Sequence, residues 1–598
     1  MGKGIVLVAV LAATAVAAAV GASASGVVGT SGAPLPQGTQ SDAAYAGSFA
    51  AAGVTNVFAT TQQVSCYRPE VASPFNLGPA FGYDGETACP GATTGEDTGA
   101  AAPYATQLGS NPGYPMTAPQ LVKGHSESDI RVDPTNPLHV IGTSKWFVSP
   151  EGYNHQLGFY ESFNGGRTWP VQGHVPGWEG WTDNTDPVGA FDTYGNFWFF
   201  NLPYQFFYRS DGSHNFTVGT SQEPNPAQAA EVVGVSVRPH GATTARDWIS
   251  TVNGKPDIVA AYDSVGNEPD KQWITVDTTG GRYTNRVYTM WVNFHTVTPV
   301  PYVSYADARP DGTHTPWSAP QPLPTKGHNP QGATYLLPHV APDGTVYTTI
   351  TNFDPAHQYG APVTIFVDKS SDGGKTWTTL PSTVTVPVAP PLYYANTTFR
   401  DGITDTFAVG NHRDAQGQYP LYLAYEDYSA GVGNVLMTAS YDGGASWTTP
   451  IQANDNASRV DALQPNLSVA PTGTVSVAFY DRRLACPTAG SREGRAAGLA
   501  LDPAASGASN YCINSTVQFY DAGLNPLGHN IRLTQHGWDP QLSSPHTSSP
   551  GGSGTFIGDY FGNDASGPKD YFTFVSTYDD GSNPNNYQQQ VVASVATP

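Results

Sequence analysis

The chain has 598 residues, and 26 Lys and Arg stand against 48 Asp and Glu, a formal net charge of −22. That balance excludes a nucleic-acid partner held on a basic face, and 65 Gly with 51 Pro give a turn-rich globular composition, short of the level that signals disorder. Thirty-two Tyr, 25 Phe and 12 Trp beside four Met argue against a helical bundle and for an all-β chain of many short strands.

At the start of the chain, Lys3 precedes an apolar run from Ile5 to Val20 broken only by Thr14, and Ala22-Ser23-Ala24 follows as a small-residue cleavage site. This predicts a secretory signal over 1–24, a run too short to span a bilayer, and a secreted, extracellular protein with no membrane contact after cleavage. Residues 25–120 are rich in Ala, Gly, Ser, Thr and Pro and read as an irregular wrapping segment. Cys66 and Cys89 lie close together there, and Cys486 and Cys512 form a second close pair. In an oxidising compartment two local disulfides are expected, the second pinching a long hairpin loop at its base.

From residue 121 onward the chain is periodic. Short alternating segments begin near 129, 186, 271, 337, 405, 464 and 557, and each reads as the first strand of a repeating unit. Seven such units are counted, with six as the alternative. The last is followed by only two further runs, Tyr571–Ser576 and Gln589–Val595, so a strand from Thr55–Thr60 is expected to complete it and remove the free edges. Residues 221–265 are read as an insertion between units, with Glu223, Arg238, His240, Arg246 and Asp247 as loop or lid material.

Three octapeptides share the pattern Ser-x-Asp/Asn-x-Gly-x-Thr/Ser-Trp: Ser162–Trp169, Ser370–Trp377 and Ser440–Trp447; Arg209–Phe216 is a degraded copy. Each clean copy follows a strand-like run and suits a hairpin tip, where the carboxylate or amide accepts backbone N–H groups and glycine takes the positive-φ position. On these residues the chain resembles the Asp-box (BNR) repeat proteins of the sialidase-like superfamily, in which the motif joins the third and fourth strands of β-propeller blades. The resemblance covers most of 121–598 and implies a single β-propeller of seven or six blades.

It also implies where chemistry sits. The hairpin tips lie on the face away from the ligand, so charges at the start of inner strands are the candidates: Glu127, Asp129 and Arg131, then Asp186, Asp270 and Lys271, and finally Asp559 and Tyr560. Tyr480-Asp481-Arg482-Arg483 ends another strand, and at least one of its arginines is expected to point into a loop site. Arginine is suited to bidentate capture of a sugar carboxylate, and the resemblance implies an Arg triad with a Tyr nucleophile, a Glu partner and an Asp acid/base. The Arg-Ile/Leu-Pro tripeptide of true sialidases is missing, since Arg131 is followed by Val132-Asp133-Pro134, so the triad does not transfer. Asp129, Arg131, Asp186, Asp481, Arg482 and Tyr560 are therefore expected to gather at one opening of the channel, Tyr560 as nucleophile by residue type alone. No G-x-S-x-G elbow, phosphate loop, H-E-x-x-H or paired C-x-x-C is found, and no cofactor or metal is expected. The function expected is a secreted exo-acting glycoside hydrolase on acidic or neutral terminal sugars, with a glycan as partner. A non-catalytic glycan- or protein-binding propeller and a polysaccharide lyase are the alternatives.

Overall fold

The computed structural model describes residues 42–58 and most of 125–598, with breaks at 148–154, 179–182, 205–230, 498–511 and 541–555 and a few shorter ones. The expected signal segment 1–24, Cys66, Cys89 and the degraded octapeptide lie outside the described residues.

Seven antiparallel sheets of at least four strands follow one another along the chain, each a blade running from an inner strand outward. The inner strands are His125–Asp133, Asp183–Phe191, Asn267–Val276, Ala333–Val340, Asp405–Val409, Ala462–Val469 and Gly562–Asp564. The seventh blade pairs Gly562–Asp564 with Lys569–Ser576, then Gln589–Ala596, then Thr55–Phe58 from the far end of the chain. Thr55 and Phe58 stand opposite Ser594 and Val591, so the ring closes through hydrogen bonds between the two ends, and Thr55–Phe58 covers the outer edge of Gln589–Ala596. The helix before it, Asp42–Ala51, is held by Tyr45, whose ring lies 5.2 Å from the Arg483 guanidinium and 5.3 Å from that of Arg532.

Alternation within the strands gives each blade two apolar faces, and the core is divided accordingly. One buried cluster joins blades 1 and 2 through Phe159 and Phe199, another blades 2 and 3 through Trp198 and Trp291. The series continues around the ring to Tyr160 and Tyr571 between blades 1 and 7. Burial of this area is the main stabilising contribution to the ring.

Within 221–265, the described residues from Glu231 to Tyr262 belong to a blade and are not an insertion between blades. Glu231–Arg238 is the third strand of blade 2, and Ile258–Tyr262 is its fourth. All eight residues of Glu231–Arg238 are buried, so the polar alternation that marks a half-exposed strand is lacking.

The three octapeptides are hairpin tips at the base of blades 1, 4 and 5. Asp372 Oδ1 accepts the backbone N–H groups of Lys375 and Thr376 at 3.0 and 2.9 Å, and Ser370 Oγ accepts that of Gly374 at 2.9 Å. Gly444 has φ +86°, and a Cβ there would come within 2.3 Å of Leu380 on the preceding blade, so both conformation and space require glycine.

Asp368, in the third strand of blade 4, is fully buried. Burial lifts its carboxyl to about 7. Its folded value is therefore above its unfolded one, and the fold prefers the protonated form. The resulting stabilisation is full below about pH 4 and is lost as pH rises through about 7. Asp368→Asn is expected to equal wild type in stability at about pH 4 and to exceed it at about pH 8, by an increment on the order of 2–4 kcal/mol, with a correspondingly higher melting temperature. Thermal melts at both pH values check this; an equal shift at both would assign the effect to packing.

Candidate active site at the channel mouth

All inner strands start at one face, called the mouth. Second strands return to it, and third strands leave it for the octapeptide tips. A strand of eight or nine residues is roughly 25–30 Å long, so tips and mouth are well separated.

Four inner strands are bulged where they start, with register breaks after Ser126, Thr185, Asp270 and Leu463; a fifth breaks after Thr334. Each bulge holds a residue in the left-handed region: Glu127 (φ 49°), Asp186 (56°), Lys271 (53°), Tyr335 (44°) and Gln464 (48°). Non-glycine residues rarely adopt that conformation, which costs about 1–3 kcal/mol each and persists where the surroundings enforce it. A bulge redirects the side chain it carries. Here five blades repeat the device at one height.

Between blades 1 and 2, Lys145 Nζ lies 2.6 Å from Glu127 Oε2 and 3.1 Å from Asp186 Oδ1. Thr185 Oγ1 donates to Asp186 Oδ1 at 2.5 Å, and Gln272 donates its amide to the Asp186 carbonyl. Both carboxyls thus share one ammonium. Burial, then the Asp186 charge, push Glu127 well above the usual carboxylate range. Burial opposes ionisation of Asp186 too, but the charges of Lys145 and Lys271 outweigh it and hold its carboxyl below the usual range. The result is a neutral acid beside a carboxylate.

Lys271 of blade 3 meets Asp559, which precedes the seventh inner strand, at 2.9 Å. Asp270 Oδ2 lies 3.6 Å from the same ammonium, and the Tyr335 ring centroid 5.2 Å from it. Since blades 3 and 7 are not neighbours, this pair spans the channel. Tyr560 donates its hydroxyl to the Pro187 carbonyl at 3.1 Å and meets Trp273 edge to face at 5.3 Å. Burial, then Glu127 and Asp186, keep the Tyr560 hydroxyl protonated.

On the blade 5 and 6 side, Tyr394 donates to Glu426 Oε2 at 2.5 Å, and Gln464 gives its backbone N–H to Glu426 Oε1. The Gln464 amide donates to Asp401 Oδ1 at 3.4 Å and to the Gly558 carbonyl at 2.9 Å. Burial and the Glu426 charge push Asp401 well above the usual range, so a second acid and carboxylate pair stands on this wall.

The six expected residues are divided. Asp186 and Tyr560 lie at the mouth. Asp129 and Arg131 lie further along the first inner strand, as a clip to blade 2: Arg131 Nη2 meets Asp129 Oδ1 at 2.9 Å, and Arg131 Nε donates to the Gly189 carbonyl at 2.8 Å. Burial lifts Asp129 to about 6 despite Arg131. Asp481 and Arg482 reach the mouth face but are buried in blade 6. Arg482 pairs with Asp461 at 2.6 Å and Arg483 with Asp481 at 2.5 Å. The expectation of an arginine projecting into a loop site is thus corrected, because desolvated guanidinium at these positions is matched by buried carboxylate. Cys486 and Cys512 are joined at the base of the blade 6 loop.

Lys145, Asp401, Glu426, Tyr394 and Gln464 were not anticipated. Lys145 is the lone charge of the run Thr143 to Phe147, which was the available signal; Gln464 opens a segment counted as an inner strand but carries no charge, and Tyr394, Asp401 and Glu426 lie outside the strand starts.

No family model matches the chain, and no curated protein does. Among solved structures it is similar to the Hadza microbial sialidase Hz136, at 15% identity over 60% of this chain and 63% of that one, with a TM-score of 0.39. It is similar to the polysaccharide lyase Uly1 at 12% identity, over 79% of this chain and 90% of that one, with a TM-score of 0.42. The Trypanosoma rangeli sialidase bound to the inhibitor DANA gives 10% identity over 79% and 55% of the two chains, with a TM-score of 0.35. The chain spans less than two thirds of the length of either sialidase. No residue role is carried over from any of them.

Proposed function

We propose that the mouth is the active site of a secreted glycoside hydrolase acting on uncharged terminal sugars. The observation that carries this reading is the ring of five left-handed residues, which presents acid, carboxylate, ammonium and phenol at one opening. Backbone strain repeated at one site is characteristic of function. Glu127, kept protonated, supplies the proton that a leaving glycosidic oxygen needs. Ionised Asp186 beside it stabilises positive charge developing at the anomeric carbon, and water supplies the new hydroxyl and returns a proton to Glu127. Trp273, Tyr335 and Tyr560 offer aromatic surface for a sugar face.

The choice of an uncharged sugar rests on charge. Lys145 and Lys271 are each engaged by carboxylates, Arg131 and Arg482 are in ion pairs below or beside the mouth, and with Glu127 neutral, Asp186, Asp270 and Asp559 still outnumber the two ammonium groups. A sugar carboxylate would meet net repulsion. A second reading, a binding propeller without turnover, is favoured by the burial of Glu127 and Asp186, which are 1% and 8% exposed.

Purified protein incubated with neutral aryl glycosides, sialosides and uronate polymers separates these readings. Release from neutral glycosides is expected. Cleavage of sialosides alone would overturn the uncharged-sugar assignment, unsaturated products from uronates would establish a lyase, and binding without release would leave the second reading.

A further inference from the structure

Lys145 comes from the second strand of blade 1, opposite Ser126 of the inner strand, and its ammonium is almost wholly desolvated. Its stem passes the Phe556 ring, with Nζ 5.2 Å from the centroid, and the charge ends between two carboxyls of different blades at 2.6 and 3.1 Å. Burying three ionisable groups together is costly unless their charges and hydrogen bonds are matched. Here one ammonium faces both carboxyls, so the charges balance when the two together carry a single negative charge. Neither Glu127 nor Asp186 is held in place by an arginine, and both have strained backbone. Without a cation between them, two carboxyls at this separation would repel or both take up protons.

We propose that Lys145 is the positioning residue of this site, its ammonium holding Glu127 and Asp186 side by side across the joint between two blades. Its bearing on catalysis rests on the hydrolase reading above; its effect on the pair does not. Among the described residues, the other charged and titratable groups acting on the pair are Lys271 and Asp270 from blade 3, and Asp559 and Tyr560 from the approach to blade 7. Lys271 is tied to Asp559 and Asp270, which leaves Lys145 as the cation that meets both members directly. His125 begins the same strand, and burial lowers it to about 3, so it stays neutral through the relevant range.

The test is a carboxyl titration, read by isotope-edited infrared spectroscopy on the full-length protein, with the two signals assigned by their loss in Glu127→Gln and Asp186→Asn. Wild type is expected to keep one protonated carboxyl at neutral pH that disappears in Glu127→Gln. In Lys145→Met the Asp186 titration is expected to move up by about 1–3 pH units, the effect of removing an opposite charge in contact, and Lys145→Arg should restore most of it. If Lys145→Met does not fold, Lys145→Gln keeps the hydrogen bond without the charge and answers the same question. Unmoved titrations in a folded, uncharged variant would overturn the proposal. A wild type inactive on every glycan, with the titration shifted as expected, would sink the hydrolase reading and leave the assignment of Lys145 standing. An active wild type whose acid limb and carboxyl signals are both unmoved by Lys145→Met would do the opposite.

Discussion

Asp186→Asn is expected to lower kcat on a neutral aryl glycoside by about 10²–10⁴-fold, the usual contribution of a positioned acid or base, with little change in melting temperature. The two readouts separate because asparagine is isosteric with aspartate and is among the residues that tolerate the left-handed conformation, which position 186 adopts at φ 56°. The Thr185 hydroxyl, 2.5 Å from Asp186 Oδ1, can donate to an amide oxygen as well as to a carboxylate. What the substitution removes is the charge. With Asp186 neutral, Lys145 at 2.6 Å faces Glu127 alone, and the repulsion that helped raise Glu127 is gone. Glu127 then ionises at lower pH, so both members of the pair are in the wrong state near neutrality. The residual activity should accordingly improve toward acid, where Glu127 regains its proton, and a pH profile of the variant checks that sign. Retention of wild-type kcat by a folded Asp186→Asn would remove the mouth pair from the chemistry.

Arg482→Met is expected to act on stability alone, by about 3–5 kcal/mol, the cost of leaving a buried charge without its partner. Arg482 is 0% exposed and Asp461 1%. Asp461 Oδ2 meets the guanidinium at 2.6 Å, while its Oδ1 accepts the Gly433 N–H at 2.9 Å. This pair ties the start of the sixth inner strand to the end of the second strand and to the blade 5 loop. Combining it with Asp461→Asn should return a large part of the lost stability, since the orphaned charge is then removed while the Gly433 contact is kept. Denaturant melts of the single and double variants measure the coupling. A stable but inactive Arg482→Met would show instead that the guanidinium meets a ligand.

Much of the architecture was legible because a propeller repeats. The octapeptides, the Asp and Gly turns and the alternating runs are local features whose spacing follows from hairpin geometry, so all-β class and a seven-unit count could be read without knowing any contact. Charges at the start of inner strands could be named for the same reason: Glu127, Asp186, Lys271 and Asp559 fall where the period says the mouth is. Local pattern failed where a strand is buried on both faces, as in Glu231–Arg238, since uniform burial removes the alternation by which a strand is recognised.

Only the tertiary structure decided which charges meet. Lys145 is adjacent to Glu127 by strand register but reaches Asp186 because blades 1 and 2 pack side by side. Lys271 and Asp559 are 288 positions apart in sequence and join across the channel. Arg131 and Arg482 carry the same charge as Lys145 and Lys271 and lie near the same face, yet close packing ties them to Asp129 and Asp461. The sequence by itself determined the period, and with it the ring and the set of groups available at its mouth. Pairing among those groups depends on the sub-ångström fit between blades and on desolvation, which act between residues that no local pattern connects.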